Sequence, residues 1–582
     1  MDLSLQVGAV WDIECANWDE FLCGALWTPT DGMRVTRDAS ELARWIVALP
    51  SDTHTWAHSG GRYDVLWWLE QQMRDHAKLP DATVYLSGGS ASGVRVTGGP
   101  WLRDSARLIP MSLKKAGAWV GEHGKGELAL PCICDTACGG YCSLRVDMPA
   151  EYWDLTIKYL IRDVEVLRDL LTKLFTFASK NYIELRGTVG GTAWATAQAW
   201  CGVPDADLTW TQYRTARQGY YGGRVEVART EHAQVYRYDR RGAYLASLLE
   251  PLPVGRCSVY RNRHAVEAWD EHLPGVYHVD LSIPESFAPP LPVRTGERLA
   301  YPWGDISGEW THLEILHALA QGATLRKVRT AVVWEREEAI LADYAKEIGR
   351  LRDVADAPEG QGKACSVWLK FLGNSLTGKL GQDPDWPMIK LGDYADDPRY
   401  EPVGASPWVW QRTLARMASC AYPHWAATLT SRARIDLHNQ ILHAGEAWCY
   451  SDTDSVFATK PLTRNVGDSL GQWQYEGTGD NWRALAPKVY AYDAEKRIRH
   501  AKGVPDAEDP DVWERYANGE TVRSNRGVAP LLTAVRGGPL FARRSVSRTL
   551  RPRDGWVGAR ILDPGKHVTR APNMHDLLDL AP

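Results

Sequence analysis

The chain has 582 residues, of which 44% are apolar and 24% charged, enough for several domains with separate cores and unlike a disordered or fibrous composition. No run of eighteen uninterrupted apolar residues occurs, so the pattern contains no membrane span, and the first residues (MDLSLQVGAVWDIE) lack the basic region and cleavage site of a signal peptide. Net charge is −5, which decides nothing about nucleic acid, because binding depends on where charge sits. The eleven cysteines are mostly scattered singly, as at Cys15, Cys201, Cys365 and Cys449, and predict reduced thiols in a cytoplasmic protein.

In chain order, residues 7–13 read as a buried strand ending on carboxylates, and 63–72 as a helix. Leu155, Tyr159, Val166, Leu167, Leu170 and Leu174 fall at helical spacing and predict a helix over 151–179. Residues 235–239 read as a strand and 241–249 as helical; 252–335 mix short strands with Pro and Gly turns and look like an inserted subdomain. A charged amphipathic helix over 336–354, a breaker at 357–362 and a second helix from Lys363 to about Leu376 form a helical hairpin. Residues 383–408 carry five prolines and read as another insertion, 411–443 as a long helix, and 447–459 (AWCYSDTDSVFAT) as a β-hairpin with an acidic turn. From Arg523 to Arg570 basic residues (Arg526, Arg536, Arg543, Arg544, Arg548, Arg551, Arg553, Arg560, Lys566) far outnumber acids, the makings of a phosphate-tracking surface or of an ordinary solvated face.

Three segments carry chemistry together: YDRRGAYLAS with Asp239 and Tyr244, KFLGNSLTG on the second hairpin helix, and YSDTDS on the β-hairpin. Transfer of a nucleotidyl group from a triphosphate needs positioning and charge neutralisation, and two Mg²⁺ ions serve both ends of the displacement. Mg²⁺ takes hard oxygen ligands, which Asp239, Asp452 and Asp454 can supply from different strands. Lys363, Lys370 and Asn374 are seven and eleven residues apart, one stripe of a helix along which a triphosphate can lie. In the N-terminal region Asp12 and Glu14 alternate along a strand and point the same way, Asp64 follows in HSGGRYD, and Asp163 lies one helical turn after Tyr159. Four carboxylates and a phenol are a set suited to two-metal phosphodiester hydrolysis.

These segments resemble motifs A, B and C of family B DNA polymerases. YSDTDS fits fully; Thr377 stands where tyrosine is usual, and Gly242, Ala243 and Leu245 depart from motif A. The resemblance implies a multidomain α/β chain: a ribonuclease-H-like 3′→5′ exonuclease domain plus a right-hand polymerase of palm, fingers and thumb with two insertions. It makes Asp239 and Asp454 the principal metal ligands, Lys370 a phosphate contact, Asn374 and Thr377 parts of the nascent-pair pocket, and Tyr244 the gate against a ribose 2′-hydroxyl. The segment Tyr220–Arg224 (YYGGR) resembles a template-contacting motif through Tyr220, Gly222, Gly223 and Arg224. Lys488 and Tyr490 (PKVYAY) with Lys502 resemble primer-holding elements. Asp12, Glu14, Asp64, Tyr159 and Asp163 resemble the three exonuclease motifs; Ser59 replaces the usual asparagine, and Ser105, within Arg103–Lys115, matches a primer-strand contact.

Length and spacing resemble the protein-primed phage branch, which implies the divisions 1–180 exonuclease, 181–251 palm, 252–335 first terminal-protein region, 336–382 fingers, 383–410 second terminal-protein region, 411–505 palm and 506–582 thumb. The expected partners are primer-template DNA, dNTPs and a terminal protein, with no membrane; the expected cofactor is Mg²⁺, for which Mn²⁺ can substitute; a monomer in the host cytoplasm is expected. Cys132, Cys134, Cys138 and Cys142 can hold a structural zinc ion, but their spacing is not that of a standard zinc ribbon or finger and reduced cysteines in a surface loop are the plainer reading. Three other readings stand beside this one: an exonuclease with a degenerate polymerase half, a family B polymerase extending ordinary primers, and a non-catalytic DNA-binding scaffold.

Overall fold

The computed structural model describes residues 7–16, 20–87, 90–121, 150–296, 298–383, 386–414, 417–504, 506–524, 530–533, 540–541, 545–551, 554–563 and 565–578. The four clustered cysteines and Arg526, Arg536, Arg543, Arg544 and Arg553 lie outside them.

The N-terminal sheet is built on β1 (Ala9–Ala16), flanked by β2 (Glu20–Thr28), β3 (Gly32–Thr36), β4 (His54–Ala57), β5 (Ala82–Ser87), β6 (Ser90–Val96) and β7 (Trp101–Asp104). β1 runs antiparallel to β2 and parallel to β4, which is parallel to β7. Alternation sends Ala9, Trp11 and Ile13 to one core with Val65, Leu66 and Trp68 of the helix Asp64–His76, and Val10 to another with Leu167 and Leu170 of the helix Ala150–Lys180. Two helices therefore sandwich β1 from opposite faces. On the longer helix the buried stripe is Tyr152, Thr156, Leu160, Val164, Leu167, Leu171 and Leu174; Leu155, placed on the apolar face by spacing, lies off that stripe and is 41% exposed.

The palm is a second sheet. β8 (Val225–Val227) and β9 (Glu231–Arg240) precede the short helix Ala243–Ser247. The first insertion follows as β10 (Leu252–Arg261), β11 (Gly275–Ile283), the small hairpin β12 (Val293–Thr295) and β13 (Arg298–Ala300), β14 (Gly304–Thr311), the helix His312–Ala320 and β15 (Thr324–Glu338), with sheet order β10-β15-β11-β14. β15 extends to Glu338, so the first fingers helix begins at Ala342 rather than at 336; it ends at Asp356, and the second runs Lys363–Leu380. Two helices before the palm, Val189–Cys201 and Trp210–Gln218, are not evident from the apolar pattern alone.

The second insertion comprises β16 (Trp386–Leu391), β17 (Glu401–Pro402) and β18 (Val409–Leu414). Its residues 411–414, expected to be helical, pair antiparallel with β16, and the helix starts at Pro423 and ends at Ala444. Val409, Trp410 and Thr413 favour a strand, and proline fits a helix's first turn, where its missing N–H costs nothing. β16 in turn pairs with β5, Ile389 opposite Val84, so the insertion lengthens the N-terminal sheet to the order β17-β18-β16-β5-β6-β7-β4-β1-β2-β3. β19 (Trp448–Asp452), β20 (Ser455–Ala458), β21 (Trp473–Ala486), β22 (Val489–Asp493) and β23 (Arg497–Ala501) complete the palm in the order β23-β22-β21-β9-β20-β19-β8. Among the described residues, no helix is long and apolar enough to cross a membrane.

Candidate active sites

In the N-terminal domain β1 presents Asp12 and Glu14 on its half-buried face, and the helix Ala150–Lys180 brings the buried Asp163 to them. One carboxylate oxygen from each of the three lies within 4.8 Å of the others. Asp64 opens the helix Asp64–His76 and is 1% exposed, with an Oδ1 that has no hydrogen-bond partner among the described residues. Burial, and then the charge of Asp12, push its carboxyl well above the usual range. Crowded, desolvated carboxylates of this kind suit a divalent cation with oxygen ligands, which removes their mutual repulsion. Tyr159 is half-buried on the same helix as Asp163.

Ser59 is exposed, in a left-handed conformation ahead of the two glycines. Ser105 is not available to a strand: it is 0% exposed, donates to the Ala57 carbonyl and contacts His58 Nδ1 at 3.0 Å. Its register is that of a core residue after β7, which sequence spacing does not reveal. The exposed hydroxyl in that stretch is Ser112, the N-cap of a short helix carrying the exposed Lys114 and Lys115. A serine ahead of two lysines was the available signal.

In the palm, β9 ends at Asp239 beside the β19–β20 hairpin, with Asp239 directly opposite Ser455. Asp454 follows the turn, where Thr453 is left-handed (φ 61°). Burial, and then the charge of Asp454, push Asp239 up to about 7, with Lys370 opposing. Burial also raises Asp454, again with Lys370 as the largest opposing charge. The third acid, Asp452, is already engaged: Lys488 Nζ lies 2.6 Å from both of its carboxylate oxygens. Asp239 and Asp454 are thus the pair whose negative charge is least compensated, and their oxygen donors suit Mg²⁺.

The segment Tyr220–Arg224 passes directly behind this turn. The Thr453 N–H donates to the Arg224 carbonyl at 2.8 Å. A Cβ on Gly223 would lie 2.4 Å from Thr453 Oγ1 and 2.8 Å from its Cβ, so only glycine allows the approach. Gly223→Ala is expected to displace the turn and slow primer extension about 10²-fold, the scale set by a misplacement of about 1 Å. Extension rates on one primer-template measure this, and an unchanged rate would show that the contact is not needed.

Gly222 is exposed and Tyr220 half-buried, but Arg224 cannot touch template. It is 0% exposed, pairs with Glu226 at 2.5 Å and donates to the Pro289 carbonyl. Arg560, assigned to a basic surface, is likewise 1% exposed and pairs with Glu226 at 3.1 Å. Two arginines on one buried glutamate are a structural clamp, since a buried charge must be paired. Arg523, Arg548, Arg551, Lys566 and Arg570 do remain at the surface.

On the fingers helix, Lys363, Lys370 and Asn374 occupy the face left open, and Lys363 lies 3.8 Å from Asp356. Thr377 lies seven residues after Lys370 on the same stripe of this helix, but it is 3% exposed, with its Oγ1 without a partner among the described residues. Tyr244 is half-buried near Asp454, Tyr220 and Asp452. The unusual Gly242 before it has φ +59°, a conformation that favours glycine over the usual serine. Tyr490 packs against Tyr450 at 5.2 Å and stacks on His500, and Lys502 is exposed.

Residues 147–397 match the family described as DNA polymerase type B, organellar and viral. No curated protein matches the sequence. The fold is similar to that of Phi29 DNA polymerase complexed with primer-template DNA and incoming nucleotide: TM-score 0.71, 15% identity, covering 93% of this chain and 100% of that one. The binary complex of Phi29 DNA polymerase with primer-template DNA gives TM-score 0.72 at 14% identity, covering 93% and 100%. Its complex with single-stranded DNA gives 0.68 at 14%, covering 93% and 99%. At these identities the likeness is one of fold: an exonuclease domain joined to palm, fingers and thumb. The family match goes further for the part of the chain it covers: residues 147–397 are similar to the type B DNA polymerases of the organellar and viral kind, and with the fold this supports a DNA-directed DNA polymerase.

Proposed function

We propose that the chain copies a primed DNA template by two-metal nucleotidyl transfer, proofreads with its N-terminal domain, and begins synthesis on a protein primer. The observation that carries the synthetic reading is the position of Lys370, the largest opposing charge on both Asp239 and Asp454. A triphosphate drawn to Lys370, Lys363 and Asn374 would have its reactive end at the two aspartates. Mg²⁺ bound by Asp239 and Asp454 would stabilise the attacking and leaving oxygens. Lys488 holds Asp452 in place, and Tyr244 stands where a ribose 2′-hydroxyl would collide.

Asp12, Glu14, Asp64 and Asp163 are the ligands for hydrolysis in the N-terminal domain, and Tyr159 orients the attacking water. Exposed Ser59, with Ser112 in place of Ser105, receives the single strand. Tyr220, Gly222 and Gly223 lie along the template; Tyr490 and Lys502 lie along the primer. A 5′-labelled primer on a longer template, incubated with Mg²⁺, is expected to lengthen with dNTPs and shorten without them. Shortening in both conditions would favour the nuclease with a disabled polymerase half.

Protein priming is supported by the two insertions, which lie in the order and place that the protein-primed branch assigns to terminal-protein contacts. The expected result is transfer of a labelled dNMP to a serine, threonine or tyrosine hydroxyl of a partner protein. Normal extension of oligonucleotides with failure on every partner tried would leave an ordinary-primer polymerase.

A further inference from the structure

The loop behind the catalytic turn is fastened by a buried ion pair that neither the motifs nor the mechanism employs. Arg434, on the helix Pro423–Ala444, is 3% exposed. Its Nη1 donates to the carbonyls of Tyr221 at 2.7 Å and Gly222 at 2.9 Å. Its Nε and Nη2 reach Glu314 Oε1 at 2.9 and 2.8 Å. Glu314 is 2% exposed, sits in the first turn of the insertion's helix His312–Ala320, and is held there by the Thr311 hydroxyl at 3.2 Å. A second guanidinium, Arg294 of the insertion's small hairpin, donates to the carbonyls of Gln218 and Tyr220, both at 2.8 Å, and lies over the Tyr221 ring.

Four carbonyls within five residues, those of Gln218 at the end of its helix and of Tyr220, Tyr221 and Gly222 in the loop after it, are thus held by arginines anchored in or by the first insertion. The next residue, Gly223, is the one with no room between itself and Thr453. A buried guanidinium is costly unless fully paired, and its planar fork fixes direction as well as distance. The arrangement is therefore stiff in the direction that matters, toward the Asp452–Thr453–Asp454 turn.

We propose that Arg434 and Glu314 are positioning residues for synthesis: the pair presses the Tyr221–Gly223 loop against Thr453 and so sets where Asp454 stands relative to Asp239. The insertion then serves the polymerase centre even when no partner occupies it. This rests on the reading of Asp239 and Asp454 as the metal-binding pair. Arg434→Met removes the fork, Arg434→Lys keeps the charge but reaches fewer acceptors, and Glu314→Gln leaves the guanidinium without its counter-charge.

The test is primer extension as a function of Mg²⁺ and of dNTP concentration, because half-saturation points do not depend on how much protein folds. For Arg434→Met the Mg²⁺ needed for half-maximal synthesis is expected to rise about tenfold or more and kcat to fall by a similar factor. Arg434→Lys and Glu314→Gln should fall between Arg434→Met and the unaltered chain. The Mg²⁺ requirement for digesting a single strand should stay within about twofold in all three, since that centre lies in another domain. An unchanged Mg²⁺ requirement for synthesis overturns the proposal, and so does an equal rise for both activities. Asp454→Ala, run alongside, separates the two levels: synthesis that survives it removes the metal-site reading, whereas its loss with an unaffected Arg434→Met removes only the positioning role.

Discussion

Asp454→Ala is expected to abolish primer extension while single-strand digestion continues. Asp454 is one of two half-buried carboxylates whose repulsion is relieved chiefly by Lys370. Without it Asp239 stands alone, since Asp452 is committed to Lys488 at 2.6 Å. Loss of a metal that stabilises transition-state charge is worth several kcal/mol, on the order of 10³-fold or more in rate. Gel-resolved extension of a labelled primer over a time course would read this directly. Extension within about tenfold of the unaltered chain would mean that the metals are held elsewhere. The same variant should be no less stable to heat, because removing a half-buried, incompletely compensated charge relieves part of a desolvation cost.

The second expected result is the converse. Asp12→Ala should leave extension intact and reduce 3′→5′ digestion on the order of 10³-fold. Asp12 is one of three acids whose ligand oxygens lie within 4.8 Å of one another, and its charge is the largest electrostatic influence on the buried Asp64. Removing it should bring the Asp64 carboxyl back toward its ordinary range while breaking the cation's cage. The readout is release of labelled 3′-terminal nucleotide from a single strand. Asp163→Ala should behave the same way, and digestion that survives both would dissolve the assignment of this centre.

Much of this was legible in local pattern. Strand ends carrying acids, as at Asp12, Glu14 and Asp239, announce themselves because apolar β-branched runs break on carboxylates, and the acidic turn at 452–454 sits between two short strands. What was not legible is partnership over long sequence distance. Arg224 and Arg560 look like phosphate contacts in isolation, and only the fold shows both committed to Glu226. Ser105 looks like a strand contact until the fold buries it beside Ala57 and His58. Boundaries failed where propensity is ambivalent: the run VWQRTL can serve either structure, and its pairing with β16 decides for a strand. Thr377 shows what matching a motif residue by residue leaves out, because the degree of burial at a tyrosine position filled by a smaller side chain (3% exposed here) is set by the packing around it.

The pairing of β16 with β5 has a consequence for how the chain is made. The N-terminal domain occupies the first third of the sequence, yet Val84 waits for Ile389 before its strand is covered, and the core around Trp68 also takes in Leu531, Leu540 and Phe541. A nascent chain emerging from a ribosome can assemble β1 through β7 early, but it holds β5 as a bare, hydrogen-bond-hungry margin while some three hundred further residues are synthesised, about fifteen seconds or more at ordinary elongation rates. Expression slowly and at low temperature, or with a chaperone that shields exposed strands, should therefore raise the soluble yield more than it would for a domain whose sheet closes within its own sequence.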